Sequence, residues 1–183
     1  MLTVSPRLMP FRSLIKVETG DQSVMELTKA GTSDVLVINS ISRRAFDSDI
    51  DVGASSKTGP PGYMSVSYHI RMAKANHLYK LSVDGLIIGG AIVFVDGSQL
   101  NIGRIFVDPE YFGKGYGIFI MLEIERIFSE VKEIFLDTPV WNIRTNAFYQ
   151  KLGYIEYKKD DELIYWQTVW LTKTLLRMRR QYW

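Results

Sequence analysis

Val107-Asp-Pro-Glu-Tyr-Phe-Gly-Lys-Gly-Tyr-Gly117 reads as a strand end, a turn, a glycine-rich loop and the first turn of a helix. Gly113, Gly115 and Gly117 alternate, so no side chain screens three backbone amides. The helix predicted from Gly115 to Phe128 aims its unpaired N–H groups and the positive end of its dipole back at the loop. Such a junction is an anion site, and phosphate is its commonest occupant.

Working outward, Leu100 to Val107 is the strand that feeds this loop. Before it, Leu78 to Val83 and Leu86 to Val95 flank Asp84-Gly85, a dipeptide suited to a type I′ hairpin turn. Val24 to Lys29 suggests a first strand, and Thr32-Ser-Asp34 offers N-cap chemistry for a helix carrying Val35, Leu36, Ile38, Ile41 and Phe46 at helical spacing. Residues 47–62 form a long loop ending in Gly59-Pro-Pro-Gly62, and Tyr63 to Ala75 is a second helix. In the helix after the glycine loop, Ile120, Met121, Ile124, Ile127 and Phe128 form the buried side, and Glu123, Glu125 and Arg126 the wet side. Glu133 to Thr138 is a strand. Pro139 to Asn142 then turns into a short helix that ends at Leu152 with Gly153 as its stop. Tyr154 to Lys159 and Leu163 to Leu171 form a last pair of strands around Asp160-Asp161. The order β-α-α-β-β-β-α-β-α-β-β predicts an α/β fold of the α+β type: one domain over residues 23–183, with a mixed central sheet and helices on both faces. Residues 1–22 show no clear period and are read as an N-terminal extension, either a short strand over Phe11 to Val17 or an arm.

Composition narrows the function. The chain has 183 residues, enough for one domain with a real core. Its net charge of +2 gives no argument for a nucleic-acid partner. Without cysteine there is no disulfide framework, cysteine nucleophile or thiolate metal site. His69 and His77 share no helical face, so no metal is expected. The longest apolar run, Leu86 to Val95, holds two glycines and falls far short of the ~20 residues that span a bilayer. With no signal-peptide pattern at the N-terminus, the expected location is cytoplasmic, away from any membrane.

The loop excludes two common phosphate grips. A P-loop requires Ser or Thr after the lysine, whereas Gly115 follows Lys114. A dinucleotide site requires Gly-x-Gly-x-x-Gly directly after a strand and a doubly wound fold beyond it. Here Asp-Pro-Glu-Tyr-Phe intervenes, and too few residues follow Asp137. Phe112-Gly-Lys-Gly115-Tyr-Gly117 instead resembles the Gln/Arg-x-x-Gly-x-Gly/Ala loop of the GNAT superfamily of acyl-CoA-dependent N-acyltransferases, with Phe112 in place of the leading Gln or Arg. Asn142-Ile-Arg-Thr-Asn-Ala-Phe-Tyr-Gln-Lys-Leu-Gly-Tyr154 resembles the family's Asn-x-x-Ala-x-x-Phe-Tyr-x-Lys-x-Gly-Phe helix, departing only at Thr145 and Tyr154. The resemblance spans roughly residues 24–172 and includes the element order.

The resemblance implies an enzyme that moves an acetyl or other acyl group from acetyl-CoA, its co-substrate, to a primary amine of a small molecule or a protein. It places the coenzyme's pantetheine beside Ile105, Phe106 and Val107, with the Val107 N–H facing the thioester oxygen. It places the pyrophosphate on the amides of Phe112, Gly113, Lys114, Gly115, Tyr116 and Gly117. Asn142 and Tyr149, seven positions apart, share a helix face. By resemblance Asn142 touches the pantetheine, Tyr149 next to Phe148 donates the proton to the leaving thiolate, and attack is direct, through a tetrahedral intermediate. No carboxylate lies on the strand Leu100 to Val107, so the general base is unassigned among Asp137, His69 and ordered water. Asp47, Asp49 and Asp51 suit a cationic amine, although acidic loops are usually only solvated.

The same residues have plainer readings. Asn142 is a good N-cap, and Tyr149 beside Phe148 fits core packing. Lys173 to Arg180 reads as a solvated basic helix end. The aromatics Tyr157, Tyr165, Trp166, Trp170 and Trp183 either pack, line an acceptor pocket or form a homodimer face. Alternative functions are a non-catalytic acyl-CoA sensor of the same fold and a nucleotide-binding protein.

Overall fold

The structure, a computed structural model, describes residues 23–169. The readings of residues 1–22 and 170–183 lie outside it. Within it the strands are β1 Met25–Lys29, β2 Leu78–Val83, β3 Leu86–Asp96, β4 Gln99–Val107, β5 Glu133–Pro139, β6 Ile155–Lys159 and β7 Leu163–Val169. The helices are α1 Val35–Asp47, α2 Val66–Lys74, α3 Tyr116–Ile127 and α4 Ile143–Lys151. The element order is the one expected from sequence, with short 3-10 turns added at Thr32–Asp34, Ser48–Val52 and Pro109–Tyr111.

The strands make one sheet in the order β1-β2-β3-β4-β5-β7-β6. All pairings are antiparallel except β4 with β5. The hairpin at Asp84-Gly85 has positive φ at both central residues, 50° and 83°, as a type I′ turn requires. α1 packs on β3 and β4 and joins α2, Ile92 and Phe106 in a core on one face. α3 and α4 fill the other face through Ile120, Met121, Ile124 and Tyr149, against Leu100, Ile134, Leu136 and Trp166.

Three local expectations change. Leu36 is 70% exposed, because Val35, Ile38, Ile41 and Ala45 carry the buried stripe of α1 instead. α2 starts at Val66 rather than Tyr63: the Ser65 side chain caps it by accepting from the Tyr68 N–H at 3.2 Å. Tyr63 is turned in toward α1, its carbonyl accepting from Ser42 and its hydroxyl donating to Asp47. Finally, Glu123 and Glu125 are buried, not wet. Arg126 pairs with Glu123 at 2.8 Å, and the Tyr154 hydroxyl reaches Glu125 at 3.4 Å.

The feature that shapes the site is the seam between β4 and β5. Parallel pairing covers only Gln99–Asn101 against Glu133–Phe135. Beyond it β4 continues to Val107 and β5 to Pro139, but the two part, while β5 keeps its pairing with β7 along its other edge. The register of β3 on β4 shifts between Ile92 and Val93, leaving Gly103 as a bulged residue. Bulges bend and twist a strand, and this one lies where the seam opens.

Candidate active site

The parted seam is a groove with one polar wall. The Asp108 N–H donates to the Ile88 carbonyl at 2.7 Å. Alternation along an antiparallel edge then turns the Phe106 and Asp108 amides toward β3 and the Ile105 and Val107 amides toward the gap left by β5. Ile105 and Val107 therefore offer an unpaired strand edge, ready for an extended ligand to add as a strand.

At the carboxyl end of β4 the chain turns through Pro109–Tyr111 into the glycine loop. Gly113 and Gly115 have φ of 76° and 85°, conformations that cost a side-chain-bearing residue energy. The first helical bond of α3 is the Phe119 N–H to the Gly115 carbonyl at 3.0 Å. The amides of Tyr116, Gly117 and Ile118 are therefore the free N-terminal donors of α3. They face a cavity of about 350 Å³. Its walls are Ile105, Phe106 and Val107 of β4, Tyr111 to Gly113 and Gly115 to Ile118 of the loop and helix start, Arg144, Thr145 and Phe148 of α4, and Ala45, Phe46 and Asp49 at the end of α1.

The structure thus brings together most residues singled out from sequence: Ile105, Phe106, Val107, Phe112, Gly113, Gly115, Tyr116, Gly117 and Phe148 line one cavity. Lys114 belongs to the same loop but lies outside the lining, with its ammonium 5.1 Å from the Tyr111 ring centre. Asn142 is buried and occupied. Its Oδ1 caps α4 by accepting from the Thr145 N–H at 3.1 Å, and its side chain also bonds Asp49. Tyr149 is buried behind Phe148, the two rings 5.0 Å apart, and does not line the cavity. Burial, reinforced by the charge of Asp137, pushes its phenol well above the usual range, so it holds its proton. His69 is a fully buried residue of α2, its Nδ1 near the Ser65 carbonyl and the Asn39 amide. Asp137 is exposed on β5. Neither lines the cavity.

The entry to α4 is fixed by a chain of bonds that starts in the core and ends at half-buried Asn146. Trp166 Nε1 donates to Thr138 Oγ1 at 2.7 Å, and Thr138 donates to Asn146 Oδ1 at 2.5 Å. The Asn146 amide then donates to the carbonyls of Pro139 and Val140. Arg44 of α1 pairs with Asp108, tying α1 to the turn after β4.

Sequence reading missed Arg144. Its guanidinium lies 4.7 Å from the Phe112 ring centre and donates to Asp49 Oδ1 at 2.5 Å. The only hint was its place early in a helix whose start already drew attention.

A sheet parted beside a helix-terminal anion loop is the architecture of an acyl-CoA-dependent transferase. Residues 48–154, more than half of the chain, match the acetyltransferase (GNAT) family, and the chain belongs to it. No curated protein matches the chain. Among solved structures the fold is similar to that of PaiA N-acetyltransferase from Thermoplasma acidophilum in complex with coenzyme A, with TM-score 0.69 and 17% identity over 80% of this chain and 99% of that one. It is also similar to the ribosomal-protein-S18-alanine N-acetyltransferase from Escherichia coli, with TM-score 0.60 and 18% identity over 79% and 93%. Ard1 from Thermoplasma volcanium gives TM-score 0.61 and 12% identity over 79% and 97%. No helix among the described residues is long and apolar enough to cross a membrane.

Proposed function

We propose that this chain moves an acetyl group from acetyl-CoA to a primary amine of a small molecule or a protein, by direct attack on the thioester. The observation that carries the reading is the free edge of β4 at Ile105 and Val107, which runs straight into the unpaired amides of the glycine loop and α3. One continuous polar rail then serves both the amide-bearing arm of the coenzyme and its pyrophosphate. The match to the family supports the coenzyme, and the PaiA structure was solved with coenzyme A bound.

In this reading the pyrophosphate rests on the amides of residues 113–117, since the Phe112 N–H already donates to the Pro109 carbonyl at 3.1 Å, and the pantetheine adds as a strand beside Ile105 to Val107. The Val107 N–H stabilises the developing oxyanion, the role for which preorganised backbone donors serve best. Tyr149 keeps its proton at neutral pH and supplies it to the departing thiolate. Phe148, between Tyr149 and the cavity, has to yield for that transfer. Acceptor amines enter from the side of α1 and α2. The burial of Tyr149 and the capping role of Asn142 favour a second reading, a module that binds acyl-CoA without turning it over.

Thiol release from acetyl-CoA with a panel of amines, alongside calorimetry with coenzyme A, separates the two. Turnover with any amine supports the enzyme. Micromolar coenzyme A binding with no turnover across a broad panel supports the sensor. Absence of coenzyme A binding sinks both.

A further inference from the structure

Amine acylation needs a proton acceptor, because a lysine-like amine with pKa near ~10.4 is mostly protonated at neutral pH. β4 supplies none. Its buried ionisable side chain is Arg104, a cation that donates to the Pro61 carbonyl at 2.8 Å. Among the described residues that line the cavity there is one carboxylate, Asp49.

Asp49 is held in place from several directions. It lies on the Ser48–Val52 turn that leaves α1, and it is only 7% exposed. Its own carbonyl accepts from the Ala54 N–H at 3.1 Å, which closes the turn. Gly53 presses the turn against the entry of α4, where a Cβ would come within 2.9 Å of the Trp141 carbonyl oxygen. Arg144 and Asn142, both from that entry, bond the Asp49 carboxylate. The turn is therefore braced between α1 and the entry of α4, with its carboxylate in the lining of the cavity.

Resting on the acyl-CoA reading of the cleft, we propose that Asp49 is the catalytic base, receiving the ammonium proton of a cationic acceptor. The acceptor's N–H bond breaks and its proton moves to an Asp49 oxygen. The freed lone pair forms the N–C bond to the thioester carbonyl, and collapse of the adduct breaks the C–S bond. The nitrogen's second proton leaves with the thiolate, as the thiol, through Tyr149. Asp49 returns its proton to solvent. Burial pushes the Asp49 carboxyl up, toward a useful base, against the opposing pull of Arg144 and Asn142. Arg144 is the charge that acts on Asp49 directly. The other ionisable groups around the cavity are the phenols of Tyr111 and Tyr116 in its lining, and the Arg44–Asp108 pair between α1 and the turn after β4.

The test compares wild type, Asp49→Asn, Asp49→Glu and Arg144→Gln in acetyl-CoA turnover against pH. The nucleophiles are the fastest amine of the panel and water alone, and coenzyme A affinity is measured by calorimetry. Asp49→Asn is expected to lower kcat/KM for the amine roughly 10²–10³-fold and to abolish the acid limb of the water reaction, where the nucleophile itself does not titrate, with coenzyme A affinity little changed. Asp49→Glu should retain the limb at a lower rate. Arg144→Gln should shift the limb to higher pH, because it removes the cation that favours the ionised carboxylate. An acid limb of the water reaction that survives in Asp49→Asn overturns the proposal. So does a loss of coenzyme A affinity that accounts for the fall in rate, which would mark Asp49 as a brace for α4. If Asp49→Asn does not fold, an acid limb unmoved in Arg144→Gln overturns it equally. Wild type that does not bind coenzyme A is a different failure, that of the cleft reading itself.

Discussion

The guanidinium of Arg144 lies over the ring of Phe112 at 4.7 Å, so the loop position that lacks a polar side chain is covered by a cation from another helix. A guanidinium stacked on an aromatic face keeps its N–H edge available for an anion. Charge at the mouth of the glycine loop is therefore supplied across the cleft. Arg144→Ala is expected to weaken coenzyme A binding by about 1–2 kcal/mol, with the difference shrinking at high salt. Calorimetry at two ionic strengths measures both effects.

Gly115→Ala tests the backbone geometry of the loop. A Cβ at Gly115 meets nothing within 4 Å, yet φ is 85°. The penalty is thus conformational, about 1–2 kcal/mol. A melting curve should show that loss. If the loop relaxes by tilting the first turn of α3, coenzyme A affinity falls with it.

Thr138→Val should be more disruptive than its small volume change suggests. Thr138 Oγ1 accepts from buried Trp166 Nε1 and donates to half-buried Asn146. Removing it orphans a buried indole N–H and loosens the α4 entry, for about 1–3 kcal/mol of stability. Chemical denaturation measures this directly, and activity should fall further than stability if α4 positions the site.

Tyr149 carries a pH signature. Its folded pKa is raised, by burial first and by Asp137 second, so its contribution to stability is complete below the unfolded value near ~10 and is lost as pH rises above it. Alkaline unfolding should therefore be less steep in Tyr149→Phe than in wild type. In the proposed mechanism the same variant loses turnover while coenzyme A affinity is retained.

His69 behaves in the opposite sense. Burial lowers its pKa, with the charge of Arg104 adding to the effect, and its Nε2 is buried without a partner. The neutral ring is the folded form. Stability is present above the unfolded value near ~6.5 and declines as pH falls through the folded one. His69→Gln should flatten the acid side of a melting-temperature profile.

Much of this molecule is local, and local features were legible. Asp84-Gly85 dictated a hairpin because few dipeptides tolerate two positive φ angles, and Gly113 and Gly115 marked the loop for the same reason. The two motifs placed the loop and α4 in order. Burial was less legible. Glu123 and Glu125 look like a wet face until Arg126 and Tyr154 are seen to cover them, and Leu36 looks like core until Ile38 and Ile41 take the inner stripe.

By itself the sequence determined the glycine loop and the helix start that follows it, since alternating glycines before a helix specify that geometry within a dozen contiguous residues. Only the tertiary structure decided what surrounds it. The parting of β4 from β5 beyond Asn101 and Phe135 is set by how the whole sheet packs, and the Asp49–Arg144 contact joins residues 95 positions apart. Neither leaves a trace at short range, because pairings of that kind are set by which packed surfaces fit, not by any one residue's preference. The cleft mouth owes its Asp49 carboxylate and its Phe112-stacked cation to that fit.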